Sequence, residues 1–154
     1  MTNTLQSTDI RQSPVVRLGR ARAALVQLQG AAAALTLIVA AIHVIDQGGI
    51  PGNKAPSYVG VGYWLLELAA LGAAVMLFRT GRPTSWLLGL GIGGGPLVGF
   101  ILSRGPGLPE YTDDRGNWGE PLGIASIVVE GLLILASLAG LALAMRVQRS
   151  RAAR

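Results

Sequence analysis

Two glutamates interrupt apolar stretches of the sequence, where a carboxyl group is costly to bury. Glu67 stands about ten residues into the second apolar stretch, and Glu130 stands about nine residues into the fourth. At about 1.5 Å of rise per helical residue, both lie about 14–15 Å deep, close to the middle of a bilayer. A charge at that depth costs at least about 2.5 kcal/mol, and such residues commonly mark proton or ion pathways. The two glutamates therefore predict a buried proton or small-cation site.

Polar residues on the same helical faces extend this hypothesis. Tyr63 precedes Glu67 by four residues, and Ser126 precedes Glu130 by four, which places each pair one turn apart on one face. If the two faces meet, the carboxyl groups could share a proton. The structural alternative is that two protonated glutamic acids hydrogen-bond neighbouring helices, a contact worth about 0.6 kcal/mol on average.

His43 is the only histidine of the chain and lies near the end of the first apolar stretch. Gln29, Thr36 and His43 recur every seven residues, so they share one helical face, which should turn towards other helices in lipid. His43 could be an axial haem ligand, a proton relay or a metal ligand. Alternatively, it is an interfacial histidine hydrogen-bonded to a neighbouring helix. A bis-histidine haem would require a second copy of the chain.

A glycine-rich segment resembles a cofactor loop by spacing alone. Residues 89–96 read GLGIGGGP, and Gly89, Gly91 and Gly94 match the dinucleotide fingerprint G-x-G-x-x-G. That fingerprint requires a surrounding βαβ unit, and Pro96 stands where the phosphate-binding helix should continue. The context therefore excludes a dinucleotide site.

The same glycines predict helix packing and a kink. Gly91, Gly95 and Gly99 recur every four residues, a pattern that allows close approach of another helix in membranes. Pro96 leaves one carbonyl of its helix without a partner and predicts a kink. Gly94 and Gly95 lie at about the depth of the two glutamates. A similar ridge on the fourth stretch consists of Ala136, Gly140 and Ala144.

Four apolar stretches must position these residues. The chain of 154 residues is 51% hydrophobic and only 14% charged, against about 25% charged in soluble domains. Stretches of 20 to 25 residues are close to the about 20 needed to cross a bilayer, and they cover about 23–45, 57–78, 84–103 and 121–145. We predict an all-α polytopic membrane protein, a four-transmembrane-helix bundle over 23–145. It is flanked by a disordered basic tail, 1–22, and a second basic tail, 146–154.

The distribution of charge predicts the orientation of the bundle. Ten of the thirteen basic residues lie in the two tails and the 79–83 turn, and three lie in the other two connections. The positive-inside rule then predicts that both termini are cytoplasmic in the inner (plasma) membrane. The net charge of +5 is accordingly a topology signal, and we predict no nucleic-acid partner. The absence of cysteine excludes disulfides and thiolate metal sites.

The longest connection is rich in acidic residues. These are Glu110, Asp113, Asp114 and Glu120. They could bind a divalent cation, but their spacing matches no EF-hand loop. A solvated acidic loop is the alternative, and we predict no metal site.

The run from 103 to 131 reads SRGPGLPEYTDDRGNWGEPLGIASIVVEG. Its Ser-Arg, Gly-Leu-Pro, Asp-Asp, Gly-Asn-Trp and Glu-Pro-Leu-Gly elements, with the glutamate that follows, resemble a recurring stretch of one family. This is an uncharacterised family of small four-helix integral membrane proteins from GC-rich bacteria. The resemblance implies a bacterial four-helix membrane fold and carries no established activity.

The sequence contains no nucleophile–base pair, zinc-spaced histidine set or Walker loop, so we predict that the protein is not an enzyme. We expect a small integral membrane protein of unassigned activity, alone or as a subunit of a larger membrane complex. One alternative is a proton-coupled solute or ion transporter or channel subunit centred on Glu67 and Glu130. The other is a haem- or quinone-binding redox subunit that uses His43 with Tyr63 nearby. Expected partners are the lipid bilayer and either a second copy or a complex partner, and no cofactor is predicted outside the redox alternative.

Overall fold

The chain folds into long helices joined by short connections. A computed structural model describes residues 14–152. Within that range the helices are α1 (Pro14–Asp46), α2 (Ser57–Thr80), α3 (Pro83–Arg104) and α4 (Pro121–Ala152). Each is long and apolar enough to cross a membrane. The prediction of an all-helical, multi-pass membrane protein with four spans is confirmed.

The first and last helices extend beyond the predicted spans. α1 begins at Pro14, so residues 14–22 are helical where the sequence predicts a disordered tail. α4 continues to Ala152 and takes up most of the predicted tail 146–154. The remainder of the predicted tails, 1–13 and 153–154, lies outside the described residues.

The outside of the bundle is apolar. Only between 28% and 33% of the most apolar window of each span is buried inside the protein. Leucine, isoleucine, valine and phenylalanine side chains therefore remain exposed along all four helices. Because water would disfavour such a surface, its natural surroundings are lipid acyl chains.

Glycine and proline set the short turn between α2 and α3. Gly81 ends α2 in the left-handed conformation, with φ 53°, which glycine adopts without steric cost. Pro83 then begins α3, where its missing N–H would have had no helical acceptor. Gln29 of α1 packs onto Gly81 so closely that a Cβ there would overlap its amide, and it donates a 3.0 Å hydrogen bond to the Leu77 carbonyl.

The helices form a bundle in which α1 contacts both α2 and α4. The most extensive packing joins α3 with α4, α1 with α2, and α1 with α4, whereas α2 and α3 pack less extensively. α2 and α4 occupy opposite corners with little direct contact between their described residues. This arrangement decides which of the predicted site residues can meet.

Two glycines allow α3 and α4 to approach closely. A Cβ on Gly93 would lie 2.9 Å from Ile134 Cγ1 and 3.0 Å from the Glu130 carbonyl oxygen. A Cβ on Gly89 would lie 2.5 Å from Ser137 Oγ. The α3–α4 interface therefore has room for hydrogen alone at these two positions.

The predicted glycine ridge of α3 does not form this interface. A Cβ on Gly91, Gly94, Gly95 or Gly99 would meet no atom within 4 Å among the described residues. The close packing of helices within this chain therefore does not use the ridge Gly91, Gly95 and Gly99, and its packing between chains stays a prediction. Pro96 lies within a helix that continues to Arg104.

The predicted ridge of α4 does pack inside the bundle. Trp86 of α3 is fully buried, and its indole N–H donates a 3.1 Å hydrogen bond to the Gly81 carbonyl. The six-membered ring of Trp86 lies directly against Gly140, where a Cβ would overlap it. Ala144, one turn further along α4, is also buried.

Gly140→Ala should destabilise the bundle, because the added methyl group collides with a large ring that is held by packing and by its own hydrogen bond. Overpacking of this kind costs about 1–3 kcal/mol. Thermal unfolding of the purified protein in detergent, followed by circular dichroism, measures the loss. Gly91→Ala is the matched control, since its methyl group would meet no atom of the described residues within 4 Å. Equal destabilisation by both variants would contradict this packing.

Candidate functional site

A partly open cavity of about 420 Å³ lies near the end of the bundle that carries connections 47–56 and 105–120. We call this the long-loop end. The lining residues come from all four helices and from the connection 105–120. Small-molecule sites in proteins typically occupy about 300–1,000 Å³, so the volume suits a small ligand.

Glu130 forms the deepest carboxyl group of the cavity lining and is only 1% exposed. Ser126, one turn earlier on α4, donates a 2.5 Å hydrogen bond to Glu130 Oε1. The other carboxyl oxygen, Oε2, is buried and has no hydrogen-bond partner within residues 14–152. Gly95 and Pro96 of α3 line the same cavity. A buried polar atom left unpaired costs about 1–3 kcal/mol, so a group that donates a hydrogen bond to Glu130 Oε2 would be stabilising.

His43 and Tyr63 form the wall of the cavity between α1 and α2. His43 Nδ1–H donates a 2.9 Å hydrogen bond to the Val39 carbonyl in its own helix. Its Nε2 has no hydrogen-bond partner among the described atoms and is the ring nitrogen available to a ligand. The rings of His43 and Tyr63 are 5.3 Å apart between centroids. Tyr63 therefore neighbours His43, and its hydroxyl hydrogen-bonds Asp46 and not Glu67.

Asp46, the last residue of α1, contacts the polar groups of Tyr63 and Lys54. The Tyr63 hydroxyl donates a hydrogen bond to Asp46 Oδ2. The Lys54 ammonium lies 3.2 Å from the same carboxylate and 5.6 Å from the centroid of the Tyr63 ring. A carboxylate and an aromatic face thus hold this primary amine together.

Arg104 fastens the connection 105–120 over the cavity. Its Nη1 lies 3.1 Å from Asp114 Oδ2, and its Nη2 lies 2.8 Å from Glu120 Oε2. The Arg104 side chain is only 10% exposed, and its Cζ lies 4.3 Å from the centroid of the Phe100 ring. Tyr111 donates a 2.7 Å hydrogen bond to Asp114, and burial, followed by this bond, raises the pKa of the Tyr111 hydroxyl.

The acidic connection is therefore only partly solvated. Asp114 and Glu120 bind Arg104, whereas Glu110 and Asp113 are exposed. The sequence interpretation of a solvated acidic loop therefore holds for Glu110 and Asp113 and is wrong for Asp114 and Glu120. Complementary charges ten and sixteen positions apart are a signal that could have revealed these ion pairs.

Glu67 lies apart from the cavity. It is 6% exposed and accepts a 2.8 Å hydrogen bond from the Gln47 side chain, which is itself buried. Gln47 directly follows α1, so Glu67 is level with the end of that helix. Glu67 and Glu130 stand on the two helices that occupy opposite corners and have different hydrogen-bond partners. The pair does not have the arrangement that a shared proton requires.

Most of the other predicted site residues do come together. The cavity lining includes His43, Tyr63, Gly95, Pro96, Gly99, Ser126 and Glu130. Gly91 and Gly94 are not among the lining residues. Sequence reasoning missed the participation of Asp46 and Arg104 in the cavity lining.

The fold and the site together define the class, a multi-pass membrane protein whose helices surround a partly open, mainly apolar cavity with a few polar groups near one end. Comparison with protein-family models, curated proteins and solved structures finds no match to this chain. The chemistry of the cavity is therefore the basis on which a function can be assigned.

Arg104→Met should release the connection 105–120, because it leaves two carboxylates without their common partner. Hydrogen–deuterium exchange should become about tenfold faster or more at the backbone amides of Leu108, Tyr111 and Gly116. Arg115→Met is the matched control, since Arg115 is an exposed arginine of the same connection. Unchanged exchange in Arg104→Met, or equal acceleration in both variants, would contradict the clamp.

Proposed function

We propose that this protein binds a small solute in the cavity and exchanges it for a proton on Glu130, as a proton-coupled transporter or transporter subunit. The observation that carries the proposal is the buried, unpartnered Oε2 of Glu130 in the cavity lining. A carboxyl group there is favoured as the neutral acid when the cavity is empty, because a lone charge is costly within a membrane. A solute that supplies a hydrogen-bond donor or a positive charge favours the carboxylate instead.

Glu67 has a different role in this proposal. Its hydrogen bond to Gln47 joins α2 to the residue that follows α1, and its side chain is outside the cavity lining. We assign it a structural contribution to the long-loop end. We therefore propose a site centred on Glu130 alone, in place of the predicted site centred on Glu67 and Glu130.

The cavity faces the outside of the cell in this account. Basic residues are concentrated in the tails and the 79–83 turn, at the opposite end from the long-loop end. The positive-inside rule therefore supports cytoplasmic termini in the plasma membrane. Gly91 is exposed and lies outside the cavity lining, so the surface of α3 around it is one on which a second copy or a complex partner could pack.

A redox subunit is the second candidate, and it is favoured by the unpartnered Nε2 of His43 beside Tyr63. Because Nδ1 carries the ring proton, His43 Nε2 is an acceptor and could receive a hydrogen bond from a hydroxyl group of a quinol. A haem would need another axial ligand, because the chain contains one histidine. Visible absorption of the protein expressed with haem supply tests the haem version, and the absence of a Soret band would remove it.

Glu130→Gln should abolish solute-driven proton movement. In proteoliposomes that contain a pH-sensitive dye, a panel of small cationic, neutral and anionic solutes should include one that changes the internal pH. We expect Glu130→Gln to reduce that rate by about tenfold or more, because an amide cannot release a proton.

Glu67→Gln is the matched control, since it removes the other buried glutamate and leaves the cavity lining intact. It should retain the rate within about twofold. Monodisperse elution and an unchanged helical circular dichroism spectrum show that each variant is folded. A full rate in Glu130→Gln, or no response to any solute class, would overturn the proposed function.

A further inference from the structure

The carboxyl groups of the cavity outnumber its cations. Those in the lining belong to Asp46, Asp114, Glu120 and Glu130. Arg104 is shared between two of them, and Lys54 pairs with Asp46. Within the described chain, Glu130 has no cationic partner. A positively charged ligand would therefore complete the balance of charge at the deepest carboxyl group.

Apolar and aromatic groups line the way to Glu130. The residue lies about nine positions along α4 from Pro121, which corresponds to about 14 Å. Between the level of Pro121 and the level of Glu130, the cavity lining includes the rings of Tyr58, Tyr63 and Phe100. Aromatic faces attract cations and also bury apolar surface, so a cation with an apolar body fits better than a hydrated metal ion.

Lys54 shows that the side of the cavity formed by Asp46 and Tyr63 binds an amine. Its ammonium group pairs with Asp46 at 3.2 Å and lies 5.6 Å from the centroid of the Tyr63 ring. Asp46 and Tyr63 both line the cavity. The groups that a ligand amine would require, a carboxylate and an aromatic ring, are thus present beside the cavity, where they bind the protein's own lysine.

We propose that the solute of this cavity is a small organic cation, a protonated amine with an apolar body, whose N–H groups donate to Glu130. This inference rests on the proposed function, because it names the substrate class of the same site. An anion is disfavoured, since the two terminal nitrogens of Arg104 already bind carboxylates.

Isothermal titration calorimetry on the purified full-length protein tests this proposal with three probes that share a phenyl ring. These are phenethylammonium, phenethyl alcohol and phenylacetate. The ammonium should bind about tenfold more tightly or more than either of the others, as expected for a charge-assisted hydrogen bond in a buried site. Glu130→Gln should bring the ammonium to the level of the alcohol, while Glu67→Gln should keep the wild-type preference.

Equal or tighter binding of phenylacetate or phenethyl alcohol would overturn the cation assignment, as would no detectable binding of the ammonium. Different results would overturn the proposed function and the proposed substrate class. Glu130-dependent proton movement with a neutral solute, and none with the ammonium, would support the proposed function and overturn the substrate class. Binding of the ammonium that depends on Glu130 but moves no protons would support the substrate class and overturn the proposed function.

Discussion

The close approach of α3 and α4 at Gly93 is the constraint on which the site depends. A Cβ at this position would lie 3.0 Å from the backbone oxygen of Glu130, so the absence of a side chain allows the segment that carries the glutamate to rest against α3. Nearby on α3, Gly95 and Gly99 contribute no side chains and line the cavity. One helix therefore uses glycine both to fix the position of a carboxyl group and to leave space beside it.

Hydropathy and buried charge made much of this architecture predictable. Spans of sufficient length and few charges identify membrane helices directly, because the bilayer fixes the length that a helix must have. Because the bilayer disfavours polar groups, polar residues within those spans are readily identified in the sequence. His43, Tyr63, Ser126 and Glu130 were all identified in this way, and all four line one cavity.

The neighbours of each helix could not be predicted in the same way. Depth along a helix places Glu67 and Glu130 at similar levels, but it does not say which helices are adjacent, and α2 and α4 occupy opposite corners. Glycine spacing likewise does not say which face of α3 is covered, and the covered face holds Gly89 and Gly93 rather than the predicted ridge. Side-chain pairing across the long connection, as at Arg104, also depends on tertiary structure.

Infrared difference spectroscopy of the protonated carboxyl group tests the central claim most directly. Addition of phenethylammonium to the reconstituted protein should remove a protonated-carboxyl band and produce carboxylate bands. The change should be absent in Glu130→Gln and present in Glu67→Gln. A wild-type spectrum without this change, or the same change in Glu130→Gln, would contradict the exchange of a proton for an organic cation at Glu130.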